Sequence, residues 1–405
     1  KKDRTERRII MKIKKMIALL LTVTMMTTVI TGCGNIEKKK EEKSVTEKLT
    51  EKSTEEKETK KEKTVNTKEE TRIFTDMLGR EVEIPTEIDT IVPLGNAPRM
   101  IVYLGLADMA VGIEECEIAK NPLQAYAYPQ KEKWSKLPNC GTNSMGETAY
   151  YPEQIIQANP DVILTTDPAD VADNLQMQTG IPVVCVSQGT LFGEDYEESL
   201  RTLAEICDVK DRAEELIHFI NDTLNDLSSR AETMKDVKKP TVLGAAASFK
   251  GGHSIDGVYT NYSVFEVLQA NDVAEEVANE KFSSGVMVEK EQILKWDPEI
   301  IFFDSGNLEL VKTDYAENPD YFEQLQAVKN GNLYQWPNST WHWSNVEIPL
   351  VSAYYVGSLL YPEAFEDVNF EEKASEIFDM FLDQPDYLKI LEESGSGYGK
   401  VTLGE

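Results

Sequence analysis

Histidine is scarce in this sequence, with only three in 405 residues. A site for a bare transition metal usually needs several imidazole or carboxylate ligands that converge on one point. His218 falls in a helical pattern and is expected to lie on the surface. That leaves His253 and His342, with Asp167 and Asp304 at predicted strand ends, as the available ligands. A bare zinc or manganese site therefore stays open but is poorly supported, and we predict no resident metal.

Cysteine is also sparse, and the spacing of its five residues fits no zinc pattern. Cys185 lies in the strand-like run PVVCVS and Cys207 in a helical pattern, so both are expected to be small buried apolar residues. For Cys116 and Cys140 the sequence leaves two alternatives open, free thiols or a disulfide.

Motifs of the common catalytic sites are missing from the chain. There is no G-x-S-x-G elbow, no P-loop and no H-E-x-x-H sequence. The run SGSGYG at 394–399 resembles a dinucleotide fingerprint, but it follows a helical pattern near the C-terminus and opens no further helix. The sequence therefore predicts a protein that is not an enzyme.

Net positive charge is confined to the N-terminal region. Residues 1–35 carry a net charge of +6 and residues 36–72 a net charge of +1. Because the whole chain carries −29, residues 73–405 carry −36. A surface this acidic repels phosphate backbones, which excludes nucleic acid as a partner. Attachment to an anionic bilayer would have to depend on something other than charge.

The segment from Met11 to Cys33 has the pattern of a signal peptide. A basic cluster precedes an apolar run, and Ile30-Thr31-Gly32-Cys33 follows it. This tetrapeptide resembles the lipobox of bacterial lipoproteins, which implies that Cys33 carries a lipid anchor after cleavage. An uncleaved membrane anchor is the alternative. We interpret residues 1–33 as leader and signal peptide, with 1–10 of uncertain origin.

Residues 34–72 are rich in Lys and Glu and almost free of large apolar side chains. Such a segment cannot bury enough surface to offset its conformational entropy, so we predict a disordered tether. As a flexible coil its ends would be about 30 to 35 Å apart. A single helix supported by Glu–Lys pairs is the alternative, with the same role.

The remaining chain alternates apolar strand patterns with helical patterns in each of two halves. Strands that are apolar on both faces and separated by helices are typical of parallel sheets covered on both sides. The fold class is therefore α/β, with two parallel-sheet lobes, at 73–207 and 239–405, joined by a single long helix within 208–238. The predicted strands cover 90–95, 109–114, 161–166 and 182–187 in the first lobe, and 241–248, 272–277, 299–305 and 332–336 in the second. The long helical pattern, from about Asp211 to Met234, would span about 36 Å at 1.5 Å per residue.

One pattern typical of a helix, a turn and a strand occurs twice, and it is here called the repeated corner. PEQIIQANPDVIL at 152–164 and KEQILKWDPEIIF at 290–302 each combine Glu-Gln-Ile, a Pro and β-branched apolar residues. The repeat predicts matching helices in two similar lobes, with Glu153 and Glu291 in their first turns. A carboxylate there would stabilise the helix dipole by about 0.3 to 1 kcal/mol, which is a sufficient structural reason for either residue alone. Two exposed acids, one per lobe, would also fit a partner with matching arginines.

These segments together resemble one family. FTDMLGREVEIP (74–85), YLGLADMAVGI, the repeated corner and the linking helix occur in an order similar to that of the substrate-binding lipoproteins of bacterial ATP-driven importers for iron-siderophore, haem and cobalamin. The resemblance covers about residues 73–390. It implies a monomer held at the extracytoplasmic face of the cell membrane by its lipid, and a permease and ATPase complex as partner.

The resemblance also implies the roles of individual residues. Glu153 and Glu291 match the family's two permease-docking glutamates. The cargo would be an iron(III)-siderophore or related chelate; haem or cobalamin is the alternative, and an enzyme or a sensor on the same scaffold is a further one.

Loops at the cleft ends of the strands should bind the cargo. Aromatic residues beside glycines suit a flat or apolar ligand, and Arg99 and Lys250 could meet an anionic chelate. For haem, one or two axial ligands would suffice, from His253, Met145, His342 or a tyrosine. For His253 the alternative is a hydrogen bond that shapes a glycine-rich turn. The candidate ligand-binding residues are Asn96, Arg99, Tyr126, Tyr128, Met145, Ser187, Lys250, His253, Tyr259, Trp341, His342 and Trp343.

Overall fold

The fold was described from a computed structural model of the chain. The leader, Cys33 and nearly all of the tether lie outside the described residues, as do the candidate ligands Met145 and His342. No helix in the part that the model describes is long and apolar enough to cross a membrane. The described residues are 70–144, 147–278, 285–338, 340–341 and 343–404.

The first half of the chain consists of short strands interleaved with helices. In chain order these are β1 (Thr71–Thr75), β2 (Glu81–Pro85), β3 (Ile91–Pro93), α1 (Ala97–Tyr103), β4 (Ile113–Glu114), α2 (Lys131–Trp134), β5 (Asn139–Ser144), β6 (Glu147–Tyr150), α3 (Pro152–Ala158), β7 (Val162–Thr165), α4 (Ala169–Thr179), β8 (Val183–Cys185) and α5 (Glu194–Ile206).

The sheets of this half confirm the predicted parallel arrangement. β3, β7 and β8 pair in that order, all parallel, and all three strands are buried along their length. A second sheet pairs β4 parallel to β5, and β5 antiparallel to β6. β1 and β2 form an antiparallel hairpin. Its turn is fixed by Asp76, whose carboxylate accepts the backbone N–H of Leu78 and Arg80, while Gly79 supplies a φ of +78°.

A single helix, α6 (Lys210–Thr233), connects the halves. It covers 24 residues, as predicted, and buries one apolar stripe. The buried residues of this stripe include Ala213, Leu216, Ile217, Ile220 and Leu227. His218 lies on the exposed side, where its Nδ1 is 2.7 Å from the carbonyl oxygen of Glu214.

The second half repeats the alternation around a larger sheet. Its elements are β9 (Thr241–Ala245), β10 (Gly257–Val258), α7 (Ser263–Val267), β11 (Asn271–Asp272), β12 (Val286–Met287), α8 (Lys290–Trp296), β13 (Ile300–Asp304), α9 (Leu308–Glu317), α10 (Pro319–Phe322), α11 (Gln326–Asn330), β14 (Leu333–Trp336), β15 (Thr340–Trp341), β16 (Trp343–Ser344), α12 (Glu347–Leu360), α13 (Phe370–Leu382), α14 (Tyr387–Glu393) and β17 (Gly399–Lys400).

The central strands of this sheet are parallel and lie in the order β9, β13, β14. β10, β12 and β17 extend the sheet at its two sides with antiparallel pairing. Trp336 at the end of β14 stacks on Phe302 of β13, with ring centroids 5.0 Å apart. The two-lobed α/β class is therefore confirmed, with the second sheet mixed rather than purely parallel.

The last helices return to the first half. The ring of Phe381 in α13 packs edge-on against Tyr103 of α1, at a centroid distance of 5.0 Å. The hydroxyl of Tyr387 in α14 donates to the carbonyl oxygen of Pro122, 2.7 Å away. Arg212 of α6 donates to the carbonyl oxygens of both Tyr103 and Met380. Residues predicted for the second lobe thus complete the packing of the first, while the exact lobe boundaries stay a prediction.

The strand predicted at 272–277 is wrong for most of its length. Only Asn271–Asp272 pairs with β9, and Val273–Val277 forms a 3₁₀ helix. Asp272 is the reason, because its carboxylate accepts the backbone N–H of Ala274 at 3.0 Å and so caps a helical turn. The strand predicted at 109–114 is likewise reduced to Ile113–Glu114.

Candidate ligand-binding cleft

Polar groups gather where the parallel strands of the first half end. After β3 the backbone N–H of Gly95 donates to Glu114 at 2.6 Å, and that of Asn96 donates to the Thr166 hydroxyl at 3.0 Å. The Asn96 side chain reaches the carbonyl oxygen of Gln188, which follows β8. The predicted ligand residue Asn96 thus joins the ends of three strands, as expected for a ligand site in an open α/β sheet.

The strand ends of the second half carry an equivalent polar network. Ser248, after β9, donates to Asp304 at the end of β13 and accepts from the amides of Asn307 and Asn338. The hydroxyl of Tyr259 donates to the same Asp304 carboxylate at 2.9 Å. All of these residues are buried or half-buried. The network fixes the loops that follow β9, β13 and β14.

The two halves meet at a buried junction. Leu123 lies against Gly306, where a Cβ would be only 3.2 Å from the leucine Cδ1. Deeper in the junction, the hydroxyl of Tyr103 donates to the carboxylate of Glu347 and accepts the backbone N–H of Val346. Tyr103 and Glu347 both have no exposed surface. Residues of both halves therefore form a buried polar contact, here called the cleft floor because it lies between the halves.

Arg99 lies in this floor. Its guanidinium carbon is 4.8 Å from the ring centroid of Tyr126, and the Tyr126 hydroxyl donates to Glu117 at 2.6 Å. Arg99, Glu117 and Tyr126 are each less than 2% exposed. Among the candidate ligands, Arg99, Tyr126 and Tyr259 thus belong to the cleft's supporting layer. Their contact with a cargo stays a prediction.

The remaining described candidates lie nearer the surface. Tyr128 is half-buried, and the Nζ atom of Lys131 lies 3.7 Å from its ring centroid. Ser187 is half-buried after β8, and Lys250 is exposed with a φ of +51°. The Nε2 of His253 is 2.8 Å from the carbonyl oxygen of Phe249, in a glycine-rich turn. This geometry favours the turn-shaping alternative for His253.

The tryptophan loop of the second half forms a short hairpin. β15 pairs antiparallel with β16, and Trp341 stands opposite Trp343 in the register. His342, between them, is outside the described residues. The roles predicted for these three residues stay untested.

Burial raises the pKa of the two acids beside the first-half loops. The pKa of Glu114 rises from 4.5 to about 8, chiefly because the carboxyl is desolvated and because Glu117 lies nearby, while the N–H of Gly95 opposes the rise. The pKa of Glu117 rises to about 7 for the same reason of burial, opposed by the Tyr126 hydroxyl and the charge of Arg99.

An acid of the second half behaves in the same way. Burial raises the pKa of Asp304 to about 7, against the hydrogen bonds from Gly306, Tyr259 and Ser248. The cleft floor therefore holds carboxyl groups that exchange protons near neutral pH.

The repeated sequence corner forms matching helices. α3 and α8 each have seven residues and end in a left-handed residue, Asn159 and Asp297. Glu153 and Glu291 occupy the first turn of these helices, and both are exposed. The hydroxyl of Tyr150, just before α3, is hydrogen bonded to Asp167, just after β7. The start of α3 therefore lies at the strand ends that form the cleft.

The family model for periplasmic binding proteins matches residues 94–340, more than half of the chain. The chain belongs to the periplasmic binding protein family. The predicted recognition is thereby confirmed at the level of the family.

Three relatives of this periplasmic binding protein illustrate the range of the family. The uncharacterized ABC transporter substrate-binding lipoprotein YvrC of Bacillus subtilis is 24% identical over 328 residues, covering 78% of this chain and 87% of that protein. The molybdate-binding protein MolA of Haemophilus influenzae is 23% identical over 343 residues, covering 76% and 90%. The Fe(3+)-citrate-binding protein YfmC of Bacillus subtilis is 25% identical over 194 residues, covering 47% and 57%.

The solved structure of MolA bound to molybdate has the same fold. Its TM-score is 0.57 at 20% identity, with 77% of this chain and 98% of that chain covered.

In the described part of this periplasmic binding protein, no three His, Cys, Asp or Glu side chains are placed to hold a metal ion. Cys116, Cys140, Cys185 and Cys207 are free thiols, so of the two alternatives left open for Cys116 and Cys140 the structure has the unpaired one. Cys140 and Cys185 are buried, whereas Cys116 and Cys207 are half-buried.

Sequence reasoning missed the buried acids of the floor. Glu114 ends a predicted apolar strand at the cleft edge, and this position could have identified it. Glu347 gave no such signal, because its contact with Tyr103 joins residues 244 positions apart.

Proposed function

We propose that this periplasmic binding protein captures an iron(III) chelate between its two halves and delivers it to the permease of an ATP-driven importer. The observation that carries the proposal is the pair of matching helices with an exposed acid at the start of each. The cargo is bound and released without turnover.

The position of the acids supports docking. Tyr150 ties the start of α3 to the cleft end of β7. In the second half Lys290, beside Glu291, forms an ion pair with Asp314, which also accepts from Ser254 in the loop after β9. A partner with basic residues that engages both Glu153 and Glu291 would therefore face the cleft mouth.

The chemistry of the floor supports an anionic chelate. Arg99 supplies a positive charge, and buried acids with raised pKa values can be neutral near pH 7 and donate hydrogen bonds. The relative YfmC carries Fe(3+)-citrate binding in its name, and YvrC is an ABC transporter lipoprotein. Iron(III) citrate, with its several carboxylates, is a suitable first probe.

The cargo can be tested on the mature protein. We expect protein purified from its host to carry an iron chelate visible by mass and absorption spectra. We also expect the stripped protein to bind iron(III) citrate with a micromolar or lower Kd and to change its tryptophan fluorescence on binding. Molybdate serves as the comparison ligand. A stripped protein that binds molybdate and neither iron(III) citrate, a siderophore, haem nor a corrinoid would contradict an iron chelate as cargo.

Lipid anchoring is proposed from the lipobox and can be tested separately. Changing Cys33 to Ala is expected to move most of the protein from the membrane fraction to the soluble or secreted fraction, because the proposed acylation site is removed. Cell fractionation with a labelled fatty acid measures both effects. Membrane retention of the variant at the wild-type level would show that an uncleaved segment anchors the chain.

A further inference from the structure

The buried polar side chains that have atoms without a hydrogen-bond partner among the described residues include three near the junction of the halves. These are the hydroxyl of Tyr196, both amide atoms of Asn345 and Oε1 of Glu347. Tyr196 is 4% exposed, and Asn345 and Glu347 are 0% exposed. Leaving such groups unpaired costs free energy, so native proteins almost always supply a partner.

Tyr196 and Glu347 both interact with Arg99, and Glu347 is hydrogen bonded to Tyr103, which lies one helical turn after Arg99 in α1. Tyr196 packs beneath the loop after β8, where a Cβ on Gly189 would come within 2.7 Å of it. Burial raises the pKa values of Tyr196 and Glu347, and the charge of Arg99 opposes both rises, so that Arg99 acts on both groups. Asn345 lies two residues before Glu347, at the start of α12.

The hydrogen-bonding atoms that are still available on these side chains determine which ligand they can bind. Tyr103 and the N–H of Val346 occupy Oε2 of Glu347, which leaves Oε1 for a further contact. Because burial favours the protonated carboxyl, Oε1 can carry the proton and donate it. A phenol, an amide NH₂ and a carboxylic acid, beside the charge of Arg99, together complement an anionic oxygen.

We propose that Tyr196, Asn345 and Glu347 form an inner subsite, beside Arg99, that binds an anionic oxygen of the cargo. A carboxylate of an iron chelate and an inorganic oxyanion share this chemistry. The inference rests on the proposed capture of a ligand between the halves and adds the residues that recognise it.

A pair of matched tyrosine variants separates this role from a structural one. Tyr196→Phe removes a hydroxyl with no partner among the described side chains, so the variant should be at least as stable as wild type. It should bind iron(III) citrate at least tenfold more weakly. Tyr361→Phe removes a buried hydroxyl that donates to the carbonyl oxygen of Leu268 at 3.1 Å, and should lower stability while leaving the affinity unchanged. Urea unfolding of the ligand-free protein and titration calorimetry measure the two effects.

A second variant makes the test independent of tyrosine. Asn345→Leu keeps the branched shape and the number of side-chain heavy atoms, removes both unpaired amide atoms and should give the same combination of retained stability and weakened binding. Titrations with iron(III) citrate and with molybdate show whether the subsite serves a carboxylate or an inorganic oxyanion.

The outcomes distinguish the inference from the proposed function. If both Tyr196→Phe and Asn345→Leu bound iron(III) citrate with wild-type affinity, the proposed subsite would be wrong, but the proposed cargo would still hold. Loss of stability with unchanged affinity would also overturn it, since the groups would then serve buried water. A wild-type protein that binds no chelate and no oxyanion would overturn the proposed cargo, and the subsite with it.

Discussion

Changing both Glu153 and Glu291 to Lys is expected to abolish importer-driven uptake, by about a hundredfold or more, without altering the affinity for cargo. Each change replaces an attraction to a basic partner residue with a repulsion, which costs several kcal/mol at a docked interface. Both side chains are exposed and lie in the first turns of their helices, so the ligand-free fold should lose only about 1 kcal/mol per helix from the reversed dipole interaction. Uptake of radioactive iron in proteoliposomes that hold the permease and ATPase measures the transport step.

The chain offers a matched control for this experiment. Glu87 and Glu366 are also exposed, one in each half, and they lie away from α3 and α8 in sequence. Changing both to Lys alters the net charge equally and should leave uptake near wild type. Equal uptake by the two double variants would refute docking through Glu153 and Glu291, whereas equal loss would indicate an effect of net charge alone.

The second large expected effect is a pH dependence of the free energy of unfolding, which arises from Glu114. Its pKa is raised from 4.5 to about 8, so the folded protein binds more protons than the unfolded chain between these values. The free energy of unfolding therefore falls as pH rises from about 4.5 to about 8, and this contribution is flat above and below that range. At 1.36 kcal/mol per pKa unit, Glu114 alone accounts for about 3 to 5 kcal/mol.

Changing Glu114 to Gln tests this directly. A glutamine carbonyl can still accept the N–H of Gly95, but it cannot ionise. Between pH 5 and pH 8 the variant should therefore gain about 3 to 4 kcal/mol of stability relative to wild type, measured by urea unfolding at each pH. Glu115→Gln, at the exposed neighbouring position, is the control and should follow the wild-type curve. Parallel curves for Glu114→Gln and wild type would rule out an ionisation of Glu114 in this range.

Local patterns were sufficient for most of the architecture. The linker helix and the buried strands β3, β7, β9 and β13 follow from apolar periodicity, because those signals lie within a few positions. The strand predicted at 272–277 failed because a single side chain, Asp272, capped a helical turn, and apolar spacing does not report capping.

The site was harder to predict because contacts distant in sequence decide which side chains reach the cleft. Tyr126 and Tyr259 look like ligand aromatics in the sequence, yet each donates its hydroxyl to a buried carboxylate. Conversely, the sequence gives no sign that Tyr103 is more than an ordinary helical residue, yet its hydroxyl donates a hydrogen bond to Glu347. Repetition revealed Glu153 and Glu291, because matching corners can be compared within one chain.

The return of α13 and α14 to the first half has a kinetic consequence. The bond from Tyr387 to Pro122 closes a loop of 265 residues, and the contact of Phe381 with Tyr103 closes a similar one. Closing such loops is entropically costly, which makes these contacts slow to form. During synthesis the N-terminal half must therefore wait, incompletely packed, until the end of the chain arrives.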